Sequence, residues 1–221
     1  MAHIDIRLIV IFGRSEKFIT LLKILYPEAK IHIIPWRASP NMVLILLQQI
    51  KEPIDLLLIC GYDFSSYSSK FNDYLQKNVY QPLKIIELID KYCMNPNYEI
   101  IYIDTLNSSK KYTFSRYFYA KKYLASQLST LFPFSKIVQI PTIYDGQYGT
   151  KIQGGLITKL LSNFLITLGI VKIITTSNLS KKIQAAIANS DQNNKGRMIK
   201  PRLISLPRNQ FFDRILRILC G

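Results

Sequence analysis

Ile54-Asp-Leu-Leu-Leu-Ile-Cys-Gly61 is an almost unbroken apolar run closed by a glycine, the pattern of a strand buried on both faces. Ile6-Arg-Leu-Ile-Val-Ile-Phe-Gly13 has the same form near the start of the chain. Between them, Phe18–Leu25 and Val43–Ile50 carry apolar residues at helical spacing, and Ile31–Ile34 reads as a second strand. After the third strand, residues 62–70 are rich in Ser and Tyr and loop-like. Tyr74–Tyr92 then alternates apolar and polar residues at helical period, with Pro82 as a kink point. Ile100–Ile103 is a fourth strand. A polar loop and a helix around Tyr117 follow, then a fifth strand, Lys136–Ile140, ending at Pro141.

Strands alternating with helices at this spacing predict an α/β fold, a Rossmann-like doubly wound parallel sheet covered on both faces. Ligands in such folds bind beyond the carboxyl ends of the strands. Gly13, Gly61, Thr105 and Pro141 fall at or just past those ends.

The pattern changes from Gln153 onward. A helical run leads to a short strand near Lys172–Thr175 and a helix over Leu179–Ala188; Asp191–Gly196 is a polar loop. Residues 1–150 therefore read as the Rossmann-like core, and residues 151–221 as a C-terminal region with a small helical extension, packed into the same domain. Beyond Pro207, Phe211, Phe212, Ile215, Leu216 and Leu219 form an apolar face opposite Arg208, Arg214 and Arg217. Docking on the core is the reading preferred for that segment over peripheral contact with a membrane.

At 221 residues and 48% hydrophobic content, the chain has enough apolar material for a well-buried core, which excludes wholesale disorder. Asp5 and Arg7 interrupt the first apolar run, so it reads as a strand rather than a secretion signal. Leu156–Ile173 is the longest apolar stretch, but Lys159, Ser162 and Asn163 argue against a membrane span. Cys60, Cys93 and Cys220 are odd in number and far apart, and His3 and His32 lack ligand spacing, so no disulfide framework or metal site is expected. The cytoplasm is the expected compartment.

The net charge of +15 is partly spread along the chain, but the end is enriched: Lys195, Arg197, Lys200, Arg202, Arg208, Arg214 and Arg217 face only Asp213. A basic surface draws anions: a nucleotide cofactor, nucleic acid or an acidic membrane. No nucleic-acid motif accompanies the charge, and the aromatic residues are not interleaved with it as a stacking platform. Nucleic acid is not expected as a partner.

Ser115-Arg-Tyr-Phe-Tyr-Ala-Lys-Lys-Tyr-Leu-Ala125 sets Tyr117 and Lys121 four residues apart, on one face of a helix. An ammonium near a phenol favours the phenolate, and a phenol tuned in this way can pass a proton to or from a substrate oxygen. Tyr26–Lys30 and Tyr80–Lys84 share the spacing, so position in the fold must separate chemistry from coincidence.

In their order, these segments resemble the short-chain dehydrogenase/reductase superfamily, in particular its extended, NAD-dependent epimerase/dehydratase-like branch. The similarity runs over roughly residues 6–190, and implies that residues 1–150 are a dinucleotide-binding core and residues 151–221 a reduced substrate-binding and C-terminal region. Gln76-Lys-Asn-Val-Tyr-Gln-Pro-Leu-Lys-Ile-Ile-Glu-Leu88 looks like the family's fourth helix, and implies that Asn78 supports a proton-relay water. Ile101-Tyr-Ile-Asp-Thr-Leu-Asn-Ser-Ser109 looks like the strand and loop that supply the active-site hydroxyl, from Thr105 or, failing that, Ser108. Tyr117 and Lys121 match the family's Tyr-x-x-x-Lys. Gln139-Ile-Pro-Thr-Ile-Tyr-Asp-Gly146 looks like the strand end whose backbone, at Pro141 and Ile143, meets the nicotinamide.

The resemblance implies an NAD(P)-dependent oxidoreductase or epimerase acting on a sugar nucleotide or related hydroxyl/carbonyl substrate. In it Tyr117 exchanges the proton, Lys121 lowers the Tyr pKa and binds ribose, Thr105 orients the substrate oxygen and Asn78 holds the relay water. It also implies a homodimer packed through Asn78–Ile89 and Tyr117–Leu128, with Leu83, Ile86, Leu124 and Leu128 either in the interface or in the monomer core. The departure is in the phosphate turn. Gly13-Arg-Ser-Glu-Lys-Phe-Ile19 keeps the first glycine of Gly-x-x-Gly-x-x-Gly and has Glu16 and Ile19 at the others. Arg14, Ser15 and Lys17 are the remaining phosphate donors, with Gly13 and Gly61 lining the cofactor. Arg37, where an NAD-binding chain carries an acid, favours NADP over NAD. A degenerate, non-catalytic relative that binds a nucleotide or protein partner is the alternative.

Overall fold

The apolar runs form the centre of the sheet. In the computed structural model, which describes residues 6–13, 15–93, 95–105, 112–113, 116–144, 167, 173–188 and 202–203, β1 (Leu8–Phe12) and β3 (Leu56–Ile59) are buried at every position. Around them stand β2 (Lys30–Ile34), β4 (Glu99–Thr105) and β6 (Lys136–Ile140). The five strands pair in parallel in the order β2-β1-β3-β4-β6. This is the expected doubly wound sheet. β1 connects to β2 on one side, and the chain then crosses over to β3 on the other, so the winding reverses between β1 and β3. Ligands of open α/β sheets bind at such a reversal.

The helices are α1 (Glu16–Leu25), α2 (Pro40–Gln49), α3 (Phe71–Leu75), α4 (Gln81–Tyr92), α5 (Arg116–Leu131) and α6 (Thr176–Ala188). The pleat sends alternate residues to two cores. Leu8, Val10 and Phe12 meet Val43, Leu47, Leu83, Ile86, Ala120, Leu124 and Leu128 from α2, α4 and α5. Ile9 and Ile11 meet Phe18, Leu22, Leu179, Ile183 and Ile187 from α1 and α6. Leu83, Ile86, Leu124 and Leu128 are thus spent within the chain's own core, at 6% exposure or less. Asp55, the first polar residue of the decisive run, stands outside β3 and accepts the backbone N–H groups of Arg7 (2.8 Å) and Leu8 (3.0 Å) at the start of β1.

α3 continues into α4 through a π-helical turn, Gln76–Tyr80. Pro82 has no N–H to offer the Asn78 carbonyl four residues back, and the wider turn carries the helix past that point. Two short parallel pairs complete the description: β5 (Tyr112–Thr113) with β9 (Arg202–Leu203), and β7 (Thr142–Tyr144) with β8 (Ile173–Thr175). Among the described residues no helix is long and apolar enough to cross a membrane. The basic segment after Pro207 lies outside the described residues.

Candidate active site at the carboxyl edge of the sheet

Gly13 and Gly61 meet where the winding reverses. Gly13 has φ +105°, a conformation that L side chains rarely adopt, and a Cβ there would stand 2.3 Å from the Gly61 Cα. A Cβ on Gly61 would in turn come within 2.1 Å of Cε3 of Trp36. Trp36 is 7% exposed and stacks on Phe12, with 4.7 Å between ring centroids and 24° between planes.

The next residue, Arg37, reaches from the end of β2 to Asp63, beyond the end of β3, and forms an ion pair with it. Asp63 is buried and its Oδ1 also accepts the backbone N–H (3.0 Å) and hydroxyl (2.8 Å) of Ser65. Burial pushes its carboxyl upward, but the Ser65 hydrogen bonds and the Arg37 guanidinium outweigh it and hold the group below its ordinary value. Arg37, expected to meet a 2′-phosphate, is therefore committed to a carboxylate of its own chain.

Asn78 holds this loop from beneath. Its Oδ1 accepts the Asp63 N–H at 2.7 Å, and its Nδ2 donates to the Asp63 carbonyl (3.2 Å), the Ser66 hydroxyl (3.0 Å) and the Tyr74 carbonyl (3.2 Å). These contacts engage the whole side-chain amide with the chain's own groups. Its geometric role is to fix the Asp63–Ser66 loop to the helix.

The second half of the edge is built by β4 and α5. The Lys121 amine, 6% exposed, donates to the Ile103 carbonyl at 2.8 Å and lies 4.7 Å above the Tyr102 ring. Burial pulls it below its ordinary pKa, with the Asp104 carboxylate opposing the shift. Lys122, also buried, is displaced the same way by burial and again opposed by Asp104. Cys60, next to Lys121 in the field, has its thiol pushed up by burial to about 12, against the pull of that lysine.

One turn before Lys121, the Tyr117 ring packs edge-on against Tyr62 at 4.7 Å and parallel to the half-exposed Phe64 at 5.9 Å. Tyr117 thus touches the loop after β3, while Lys121 touches the end of β4. By the pleat, Thr105 follows Ile101 and Ile103 toward the α1/α6 layer, whereas Asp104 follows Tyr102 toward α5. Thr105 is the last residue of β4, and its buried hydroxyl makes no hydrogen bond among the described residues, to Tyr117 or any other group. The buried Tyr62 hydroxyl is likewise without a partner there.

The phosphate-turn residues are divided. Ser15 precedes α1 and its carbonyl accepts the N–H groups of Phe18 (3.1 Å) and Ile19 (3.0 Å). Glu16 is exposed at the first position of α1, whereas Ile19 is buried in the α1/α6 core. Lys17 spans to the far side and donates to the Ile143 carbonyl at 3.3 Å, with Pro141 between β6 and β7. Arg14 and Ser108 lie outside the described residues.

Sequence reasoning missed Trp36, Tyr62, Asp63 and Asp104 as parts of this edge. Asp104 did carry a signal, a carboxylate inside the apolar run Ile100–Ile103 and Thr105. Trp36 carried none, because its partner Phe12 belongs to another strand. Among the described residues no group of three or more His, Cys, Asp or Glu is arranged to hold a metal ion.

No protein-family model and no curated protein sequence matches the chain. Solved structures do. A small-chain dehydrogenase in complex with NADPH superposes with a TM-score of 0.60 at 14% identity, covering 86% of this chain and 94% of that one. The dTDP-4-dehydrorhamnose reductase of Bacillus anthracis, in complex with NADP, gives 0.58 at 15% identity, over 86% of this chain and 73% of that one. The ADP-L-glycero-D-manno-heptose-6-epimerase of Helicobacter pylori gives 0.54 at 11% identity, over 84% and 74%. At these identities the likeness is one of fold: the chain has the Rossmann-like architecture of short-chain dehydrogenase/reductase enzymes, as its motif order implied.

Proposed function

We propose that the chain is a nicotinamide-cofactor-dependent oxidoreductase or epimerase/dehydratase-like enzyme acting on a sugar nucleotide or a related hydroxyl/carbonyl substrate. The observation that carries this reading is the desolvated Lys121, one helical turn after Tyr117 and bonded to Ile103 at the carboxyl end of β4. Lysine is seldom buried without a purpose that offsets desolvation. Here it lies where the fold receives ligands and on the helical face of a phenol.

The cofactor fits the second half of the edge. The buried Thr105 hydroxyl, without a hydrogen bond among the described residues, offers a polar contact there. Gly13, Ser15, Gly61, Lys121, Pro141 and Ile143 would hold it, with Arg14 and Arg37 as further candidates toward its phosphates. When bound, a nicotinamide supplies hydride exchange. Tyr117 moves a proton to or from the substrate oxygen and Lys121 biases the phenol toward release of that proton. Thr105, which the resemblance assigned to the substrate oxygen, is carried by the pleat toward the α1/α6 layer and is a candidate contact for the cofactor instead, and Asn78 acts through the loop it holds. Arg37 argues for NADP by its charge and against it by its bond to Asp63.

The test is calorimetric titration with NAD⁺ and NADP⁺, followed by assay with a panel of nucleotide-linked 4-keto and 4-hydroxy sugars. Binding together with turnover that is lost in Tyr117→Phe supports the proposal. The second reading, a non-catalytic relative, is favoured by the chain's own groups on the edge: Trp36 against Gly61 and Lys17 on Ile143. Absence of binding by either dinucleotide would select it.

A further inference from the structure

The fold brings a dinucleotide's pyrophosphate over the turn after β1 and its adenosine ribose against the end of β2. In this chain those two points are already joined by a side chain. Trp36, two residues past β2, lies against the Gly61 Cα, with Cε3 2.1 Å and Cδ2 2.7 Å from where a Cβ would stand; the Gly13 Cα is 2.8 Å from the same point. Stacking on Phe12 fixes the ring from the strand side. On the outer side, Arg37 is clasped to Asp63, whose backbone Asn78 holds at both N–H and carbonyl. The indole N–H is buried and has no hydrogen-bond partner among the described residues, so the ring is held by packing and loses no polar contact on leaving.

We propose that Trp36 is a specificity determinant that occupies the seat of a dinucleotide's adenosine ribose. A full dinucleotide enters only when the indole leaves, whereas a nicotinamide mononucleotide enters on the β4–α5 side with the indole in place. This rests on the nicotinamide-dependent reading above and goes beyond it by naming which half of the cofactor the chain resists. It also gives the single tryptophan a function that the missing acid at the end of β2 leaves vacant.

Trp36 is the only tryptophan in the chain, so the unmodified protein reports on it directly. Titration with NAD⁺ and with nicotinamide mononucleotide is followed by calorimetry, by Trp36 emission and by acrylamide quenching. Saturation with NAD⁺ should shift emission to the red and raise the quenching constant at least twofold; the mononucleotide should change neither. Trp36→Ala, or Trp36→Leu if the smaller side chain does not fold, should bind NAD⁺ at least tenfold more tightly, with mononucleotide affinity within twofold. NAD⁺ binding with the indole still shielded, or unchanged NAD⁺ affinity in a folded Trp36 variant, overturns the inference and leaves the proposed function standing. Failure of NAD⁺, NADP⁺ and the mononucleotide to bind any of these proteins removes the proposed function, and the inference falls with it.

Discussion

The two halves of the sheet edge are built on opposite plans. Beyond β1, β2 and β3 the chain fills its own space: an indole packs on Gly61, Gly61 packs on Gly13, and an ion pair joins the β2 end to the β3 loop. Beyond β4, next to α5, it buries groups that are costly to bury, with Lys121, Lys122 and Asp104 desolvated together and the Thr105 hydroxyl unmet among the described residues. Packing and the Arg37–Asp63 pair account for the first half. They do not account for the second, because buried charges replaced as a whole group by apolar residues of similar volume often leave stability unchanged or raised. Where a fold keeps such a cost, function is the usual beneficiary.

The sharpest way to break this contrast is through the second half. Tyr117→Phe should lower turnover by about 10²–10⁴-fold, the range associated with losing a positioned general acid/base, while dinucleotide affinity stays within about twofold. Full activity in that variant, with Tyr26 and Tyr80 intact, would end the assignment. Lys121→Met separates chemistry from stability. Turnover should fall on the order of 10²-fold or more, and more than the melting temperature accounts for, since the loss of stability is confined to the Ile103 carbonyl contact and the charge facing Asp104.

The pH dependence of stability is a second readout. Lys121 has a folded pKa below its ordinary 10.5, as has Lys122, so in that window the unfolded chain binds more protons and stability rises with pH. Lys121→Met should show a smaller rise, keeping the share of Lys122. A variant that melts below the parent yet keeps its turnover would make Lys121 a structural strut.

In the first half, Asn78→Ala should cost about 2–4 kcal/mol in urea unfolding, because it strips the partner from the buried Asp63 N–H and removes three further donor contacts at once. Loss of less than about 1 kcal/mol would mean that the Asp63–Ser66 loop is held by other groups. Asp63→Asn should be milder, on the order of 1 kcal/mol at pH 7, because Arg37 is 63% exposed and water screens the pair. Asp63 has a lowered folded pKa, so its contribution is complete above its ordinary 3.8 and fades as pH falls through the folded value. The difference between the parent and Asp63→Asn, read from melting curves across pH 2–7 (roughly the span of a carboxylate's loss of charge), should therefore shrink toward the acid end. A gap that persists at the acid end would place the effect in packing.

The contrast also separates what was legible in sequence from what was not. The strands were legible because burial on both faces demands unbroken apolar runs, and Gly13 and Gly61 punctuated the two that flank the winding reversal. The order of elements and the Tyr117–Lys121 spacing are local patterns. They predicted the sheet, and a helix that carries both residues at its carboxyl edge. The Trp36–Phe12–Gly61 contact joins three strands and has no local signature; Pro35-Trp36-Arg37 reads as an ordinary turn. The same is true of Asn78, whose partners lie up to fifteen residues away in a loop. Ile19 shows how a motif can mislead. At a glycine position of the phosphate turn it stands as a departure from the pattern, yet it is buried against the α1/α6 core, and glycine there would remove core contacts and weaken α1.

Glu16 is the position at which the phosphate turn can be tested without touching the core. It is exposed in the first turn of α1, where the helix macrodipole favours a negative charge. A pyrophosphate would compete for that same positive end. Glu16→Gln keeps the side chain's length and helix propensity and removes only the charge. Stability should fall slightly, by about 0.3–1 kcal/mol, while affinity for an anionic nucleotide should rise about two- to fivefold at low salt. Both effects should be largely gone near 1 M salt, where the screening length shrinks to about 3 Å. Titrating parent and variant at two salt concentrations checks this. A gain that persists at high salt would point to relief of a steric block. No gain at either concentration would mean that the phosphates do not approach α1, and that the whole first half of the edge, turn as well as Trp36, is closed to the ligand.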